Sequence, residues 1–245
     1  MDQPDSKNPK FESERELDDV DLFYDRMAAK GDWHEVANSY ETQRRLDIIG
    51  QILQDFDLEG KTLLDGGSGG GHFSAMACRL RANVTSLDVG EALLEQVREK
   101  CDSKTIVGDL MSLLFDDGFF DFVLSTEVIE HTPDPAVALS ELARVVKPGG
   151  TILVTTPGKL WQPVVRGASK FGLRPFQGRE NFLWPRTARK ILLNSGFSVE
   201  KCFGFNLLPL FKSSFGSFHR VFDRMGEFIP ELFVNFALLG SKRND

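Results

Sequence analysis

Leu63-Leu64-Asp65-Gly66-Gly67-Ser68-Gly69-Gly70-Gly71-His72-Phe73 is the stretch whose reading decides the fold. Two leucines begin a short apolar strand, a carboxylate closes it, and a glycine run turns the chain into a helical pattern over 72–81. Upstream, Leu46, Ile49, Ile52, Leu53 and Phe56 stand at helical spacing within 40–57. Downstream, Asn83–Val89 alternates like a strand, 91–100 is helical, Thr105–Asp109 is a third strand and Phe120–Thr126 a fourth. Asp134 caps the next helix and Pro135 fits its first turn. Its stripe reads Ala136, Val137, Leu139, Leu142, Val145 and Val146, and Lys147–Gly150 stops it. Thr151–Thr156 is a fifth strand, 186–195 a helix, Phe197–Phe205 a strand and Leu232–Leu239 the last one. Strands alternating with helices predict an α/β fold: a Rossmann-like, mostly parallel sheet covered on both faces, with ligands beyond the carboxyl ends of its strands.

Composition sets the outer bounds. Of 245 residues, 41% are hydrophobic and 27% charged, which excludes collagen, coiled coil and wholesale disorder. No run approaches a membrane span, and the first residues lack a secretory signal pattern. Cys78, Cys101 and Cys202 are scattered and odd in number, which fits a reducing cytoplasm rather than a disulfide framework or a zinc site. The formal net charge of −7 hides two opposite segments. Residues 1–25 are acidic and read as a solvated tail, whereas 159–224 are basic. Residues 26–245 read as a single domain. Residues 158–185 and 206–230 have no clean period and read as lid or substrate insertions.

Which ligand the glycine run holds is decided by spacing and charge. The G-x-G-x-x-G pattern of a dinucleotide site fails, because His72 stands in the third glycine position. The pattern that fits is L-D-x-G-x-G-x-G, on Leu64, Asp65, Gly67, Gly69 and Gly71. A carboxylate at that strand end repels a pyrophosphate but attracts a sulfonium and an ammonium, the two cationic groups of S-adenosylmethionine. Asp88 ends the second strand about twenty residues on, where a carboxylate can accept both ribose hydroxyls. Val89 can pack on the adenine edge, Asp109 can accept the adenine amino group, and Leu110 offers a backbone amide.

These segments, LLDGGSGGGHF, SLDV, GDL, FDFVLSTEVIEH and LARVVKPGGTILVTTP, resemble the successive motifs of class I S-adenosylmethionine-dependent methyltransferases. Among these, the ubiquinone-biosynthesis O-methyltransferase-like group is the most similar. The resemblance covers 40–157 closely and 186–245 in outline. It implies a seven-stranded sheet with a reversed last strand. It also implies a cofactor site of Arg45, Asp65, Gly66, Gly67, Ser68, Gly69, Gly71, Asp88, Val89, Asp109, Leu110 and Ser125. Gly66 and Ser68 depart from the residues usual there, and both are small.

Glu127, Glu130 and His131 stand at i, i+3 and i+4, so a helical turn would put them on one face. Two carboxylates and an imidazole at that spacing can bind Mg²⁺, as the resemblance to the quinone and small-RNA 2′-O-methyltransferases implies. The competing reading has no metal: Glu127 packs by the cofactor and His131 is the base. The resemblance implies a further ligand from a His ahead of a Phe-Phe-x-Pro stretch; here Arg179 takes that place, and Glu180 could substitute. Arg45 matches an arginine that in the quinone group reaches the methionine carboxylate. Phe23, Trp33 and Tyr40 are candidates to close over the cofactor.

The acceptor pocket is expected from 158–230, a region rich in Phe with Trp161, Trp184 and the basic excess. Apolar walls with cations suit a small apolar acceptor bearing an anionic group, and also a peripheral contact with a membrane surface. The chain lacks the Asp/Asn-Pro-Pro-Tyr/Phe run of base-amino methylation and a cysteine beside the fourth strand, which disfavours nucleic-acid bases. A sugar or RNA hydroxyl is the second acceptor class. A methyltransferase fold kept as a binding scaffold without turnover is the reading from another class.

Overall fold

Leu63 and Leu64 are both fully buried, on opposite faces of the first strand, and they divide the interior into two layers. The computed structural model describes residues 40–171, 180–206 and 225–244. The acidic tail, Phe23, Trp33 and Arg179 lie outside the described residues, as do 172–179 and 207–224 of the two insertions. In chain order the elements are α1 (Tyr40–Gln54), β1 (Thr62–Gly66), α2 (His72–Arg79), β2 (Asn83–Asp88), α3 (Glu91–Lys100), β3 (Lys104–Val107), β4 (Phe120–Thr126), α4 (Pro135–Arg144), β5 (Val146–Pro157), α5 (Gln162–Lys170), α6 (Pro185–Asn194), β6 (Phe197–Phe205) and β7 (Asn235–Lys242). Short 3₁₀ turns sit at Ile129–His131, Lys159–Trp161 and Pro230–Leu232.

The seven strands are ordered β3-β2-β1-β4-β5-β7-β6. The first five pair in parallel, and β7 runs antiparallel to both β5 and β6. One layer packs Leu64, Val123 and Ile152 against Leu139 and Leu142 of α4 and Ala188 and Leu192 of α6. The other packs Leu63, Phe122, Leu124 and Leu153 against Ile49 and Leu53 of α1 and Ala77 of α2. Strand order reverses between β1 and β4, so the glycine loop after β1 opens at the switch point where such sheets bind ligands.

Four details differ from the sequence reading. In α4, Val137 is 43% exposed and Ala138 is buried in its place, because burial follows the helical rotation rather than residue size. The α4 cap is as expected: Asp134 Oδ1 accepts the amides of Ala136 and Val137 at 2.9 and 3.3 Å. β5 begins at Val146, with a register shift between Phe120 and Phe122 of β4 that leaves 147–150 as a bulge. β3 ends at Val107, so Asp109 stands just past it. β7 starts at Asn235, three residues later than expected, because Pro230–Leu232 is wound into a 3₁₀ turn. Being an interior strand, β7 is buried on both faces, and its apolar run does not mark its ends by alternation.

Candidate functional site

The glycine loop is tied down by the second strand. The amides of Gly67 and Ser68 both donate to the carbonyl of Leu87, at 2.7 and 3.0 Å. Gly67 holds φ at 76°, where only glycine is unstrained. A Cβ added there would lie 2.3 Å from Val128 Cγ1, the residue that closes over the loop from the end of β4. Gly71, at φ 77°, would bring a Cβ within 2.8 Å of Val97 Cγ2 on α3. Gly69 is also left-handed, and Gly66 is wedged between Leu110 and Leu142. The alternating glycines thus serve both the turn and the packing above and behind it.

Each predicted carboxylate has a definite place. Asp88 Oδ2 accepts the amide of Gly69 at 2.8 Å and Oδ1 accepts that of Gly90 at 3.0 Å, so this one group braces the loops after β1 and β2. Val89 beside it is half-buried. Asp109 Oδ1 accepts the Met111 amide at 2.9 Å, and Leu110 is in the core. Asp65 is 1% exposed and lies beneath the loop. Its Oδ2 accepts Ser74 Oγ at 2.6 Å, and hydroxyl contacts continue to Ser86 and Ser103. Desolvation pushes its pKa up to about 6, and the charge of Asp88 adds to the rise.

The helical turn expected to gather Glu127, Glu130 and His131 is not formed. Glu127 sits at φ 55° and Val128 at φ −129°, and only 129–131 turn helically. Glu127 therefore reaches sideways, where its Oε2 accepts from Asn235 Nδ2 at the start of β7. Glu130 turns inward, and its Oε2 accepts from Thr156 Oγ1 at 2.9 Å. Among the described residues, no group of three His, Cys, Asp or Glu side chains is gathered as a metal cage. These residues do not fit Mg²⁺.

Glu130 is 2% exposed, and burial pushes its pKa up to about 7. The charge of Arg45 on α1 opposes that rise and the charge of Glu180 adds to it, which places three predicted residues around one position. Arg45 Nη2 also donates to Thr42 Oγ1 at 3.3 Å. His131 is partly exposed, with Nε2 3.8 Å from Glu130 Oε1. Asn181 ties this turn to the segment after α5: its amide donates to the Glu130 carbonyl at 2.7 Å and its Nδ2 to the Thr132 carbonyl at 2.9 Å.

The carboxyl ends of β1, β4 and β5 also carry buried polar atoms without a hydrogen-bond partner among the described residues: Asp65 Oδ1, Ser68 Oγ, Ser125 Oγ and Thr155 Oγ1. An unsatisfied buried polar atom costs about 1–3 kcal/mol, so four such atoms at the carboxyl ends of three adjacent strands fit a polar, hydrogen-bonding ligand. A cationic donor matches the acidic floor of Asp65 and Asp88. The sequence reading missed Asn235, Asn206 and Thr156. Isolated asparagines and threonines carry no motif, and only the sheet brings them to Glu127 and Glu130.

The likeness to known proteins is one of sequence and of fold. Residues 64–154 match the methyltransferase domain family. A ubiquinone biosynthesis O-methyltransferase of Alkalilimnicola ehrlichii is 38% identical over 120 residues, which cover 46% of this chain and 47% of that protein. A probable S-adenosylmethionine-dependent methyltransferase of Mycolicibacterium smegmatis is 34% identical over 162 residues, 66% of this chain and 61% of that one. The chain thus spans about half to three fifths of the length of these relatives. Among solved structures, the magnesium protoporphyrin IX methyltransferase of Synechocystis with bound SAH superposes with a TM-score of 0.64 at 18% identity, covering 91% of this chain and 100% of that one. The complex of the Haloferax volcanii Trm112 activator with its methyltransferase gives 0.66 at 20% identity, covering 94% and 100%. The fold is that of class I methyltransferases.

Proposed function

We propose that this chain, a class I methyltransferase domain, binds S-adenosylmethionine at the glycine loop and methylates a hydroxyl on a small, apolar acceptor such as a quinone or phenol. The observation that carries this reading is the acidic floor of the loop. Asp65 lies under it and Asp88 binds its Gly69 amide, an arrangement that disfavours a diphosphate and favours a sulfonium. Relatives named as ubiquinone O-methyltransferases support oxygen as the acceptor atom.

The bound cofactor supplies a methyl group on positively charged sulfur, already activated for displacement. What the protein must add is alignment, and positioning can lower such a barrier by about 7–11 kcal/mol. Asp88, and the glycine loop that it braces, hold the donor side. His131, partly exposed beside Glu130, would take the proton of the acceptor hydroxyl as that oxygen receives the methyl group. Arg45 neutralises part of the charge gathered at Glu130.

Among the described residues no helix is long and apolar enough to cross a membrane. The odd, scattered cysteines of the sequence are what supports a reducing cytoplasm as the compartment. The test is calorimetry with S-adenosylmethionine and S-adenosylhomocysteine, followed by methyl transfer to a panel of catechols with and without a chelator. Binding of both nucleosides and chelator-insensitive O-methylation are expected. Absence of heat with either, or a preference for NAD, would overturn the reading.

A further inference from the structure

Glu127 and Asn206 are two of the three non-glycine residues with positive φ among the described residues, at 55° and 60°. They stand 79 positions apart in the chain, and a single side chain joins them. Asn235 Nδ2 donates to Glu127 Oε2, and Asn235 Oδ1 accepts Asn206 Nδ2 at 3.1 Å. The three residues lie at one end of the sheet: Glu127 follows β4, Asn206 follows β6, and Asn235 opens the antiparallel β7 between β5 and β6. Asn206 and Asn235 are both buried, and the Glu127 amide donates to the Thr155 carbonyl of β5 at 2.9 Å.

The direction of the chain of hydrogen bonds follows from chemistry. An ionised carboxylate can only accept, so Asn235 must turn its amide nitrogen toward Glu127. Its oxygen is then left for the Asn206 amide nitrogen, and the geometry satisfies both. Asn tolerates the left-handed conformation better than most residues, whereas Glu does not. The strained member is therefore the one that carries charge.

We propose that Asn235 is a positioning residue that holds Glu127 as an oriented, ionised carboxylate on the acceptor side of the site, with Asn206 locking the Asn235 amide. This rests on the methyltransferase reading, which places the cofactor at the β1–β3 half and so leaves the β4–β7 end for the acceptor. It also sets the acceptor's chemistry: a group that meets Glu127 there must donate a hydrogen bond, as a hydroxyl does and a thioether or carbonyl does not.

The test reads Glu127 directly, by carbon-13 NMR of glutamate side-chain carboxyls during a pH titration, with Glu127→Gln assigning the resonance. Asn235→Asp and Asn235→Leu should raise the Glu127 midpoint by about one unit or more, because a donor to the ionised form is lost. Asn206→Ala should raise it less and guards against a misfolded Asn235 variant. The exchanged pair Glu127→Gln with Asn235→Asp should unfold within a few degrees of wild type, since a donor and an acceptor still face each other. Calorimetry with S-adenosylhomocysteine should change less than threefold in folded Asn235→Leu and Asn206→Ala. An unmoved Glu127 midpoint in folded Asn235→Leu and Asn206→Ala overturns the positioning role. Wild-type protein that binds no S-adenosylhomocysteine instead overturns the methyltransferase reading and leaves the carboxylate titration to be judged alone.

Discussion

Val128 lies directly over Gly67, so closely that the smallest side chain placed on that glycine would meet its γ-carbon at 2.3 Å. The first residues after β4 and the loop after β1 are thus one packed unit, although 61 positions separate them. Gly67→Ala is expected to weaken S-adenosylmethionine binding about tenfold or more, roughly 1.4 kcal/mol or above. Strain at the left-handed φ adds to the clash. Adding Val128→Ala should recover part of the loss. Calorimetry on the single and double variants checks both.

Asp88 offers one oxygen each to the amides of Gly69 and Gly90. Asp88→Asn replaces one acceptor with an NH₂ that must face an amide hydrogen. Cofactor affinity should fall about 10- to 100-fold, with melting temperature reduced far less, because a buried donor is left unsatisfied at the loop. A variant that binds as tightly as wild type would show that the brace is dispensable.

Asp65 gives the proposed cofactor site a pH signature. Burial lifts its pKa to about 6, so it loses its negative charge as pH falls through that value. Affinity for the cationic S-adenosylmethionine should weaken from pH 7 to pH 5 by a larger factor than affinity for neutral-sulfur S-adenosylhomocysteine. In Asp65→Asn the two ligands should respond alike. Parallel titrations at three pH values decide it.

Glu130 makes stability depend on pH. Its folded pKa, about 7, lies above the ordinary value of 4.5. The neutral form is favoured in the fold, so its contribution is fully present below pH 4.5 and is lost as pH rises through 7. The loss amounts to about 3 kcal/mol. Glu130→Gln can still accept from Thr156 and has no charge to bury. It should therefore gain stability relative to wild type between pH 5 and 8, measured by urea unfolding at each pH.

What the sequence made legible was local. Asp134 with Pro135, the glycines between Asp65 and His72, and the alternation of strands with helices are set by neighbours a few residues away, and the structure has them where the pattern puts them. Burial of Ala138 instead of Val137 was not legible, since hydrophobicity alone ranks them the other way. The spacing of Glu127, Glu130 and His131 suggested a common face. The left-handed backbone at Glu127 breaks the helical phase, and no residue pattern announces it. Asn235 is 108 positions from the carboxylate it holds, and only the sheet order makes them partners.

The reversed strand also has a consequence for how the molecule is made. β6 borders only β7 in the sheet, and β7 is synthesised later. A nascent chain can complete the parallel strands around the glycine loop while β6 still has nothing to pair with. On the ribosome the glycine-loop half should therefore mature first, and the opposite end of the sheet, with its Glu127–Asn235 contact, can close only after Asn235 has emerged.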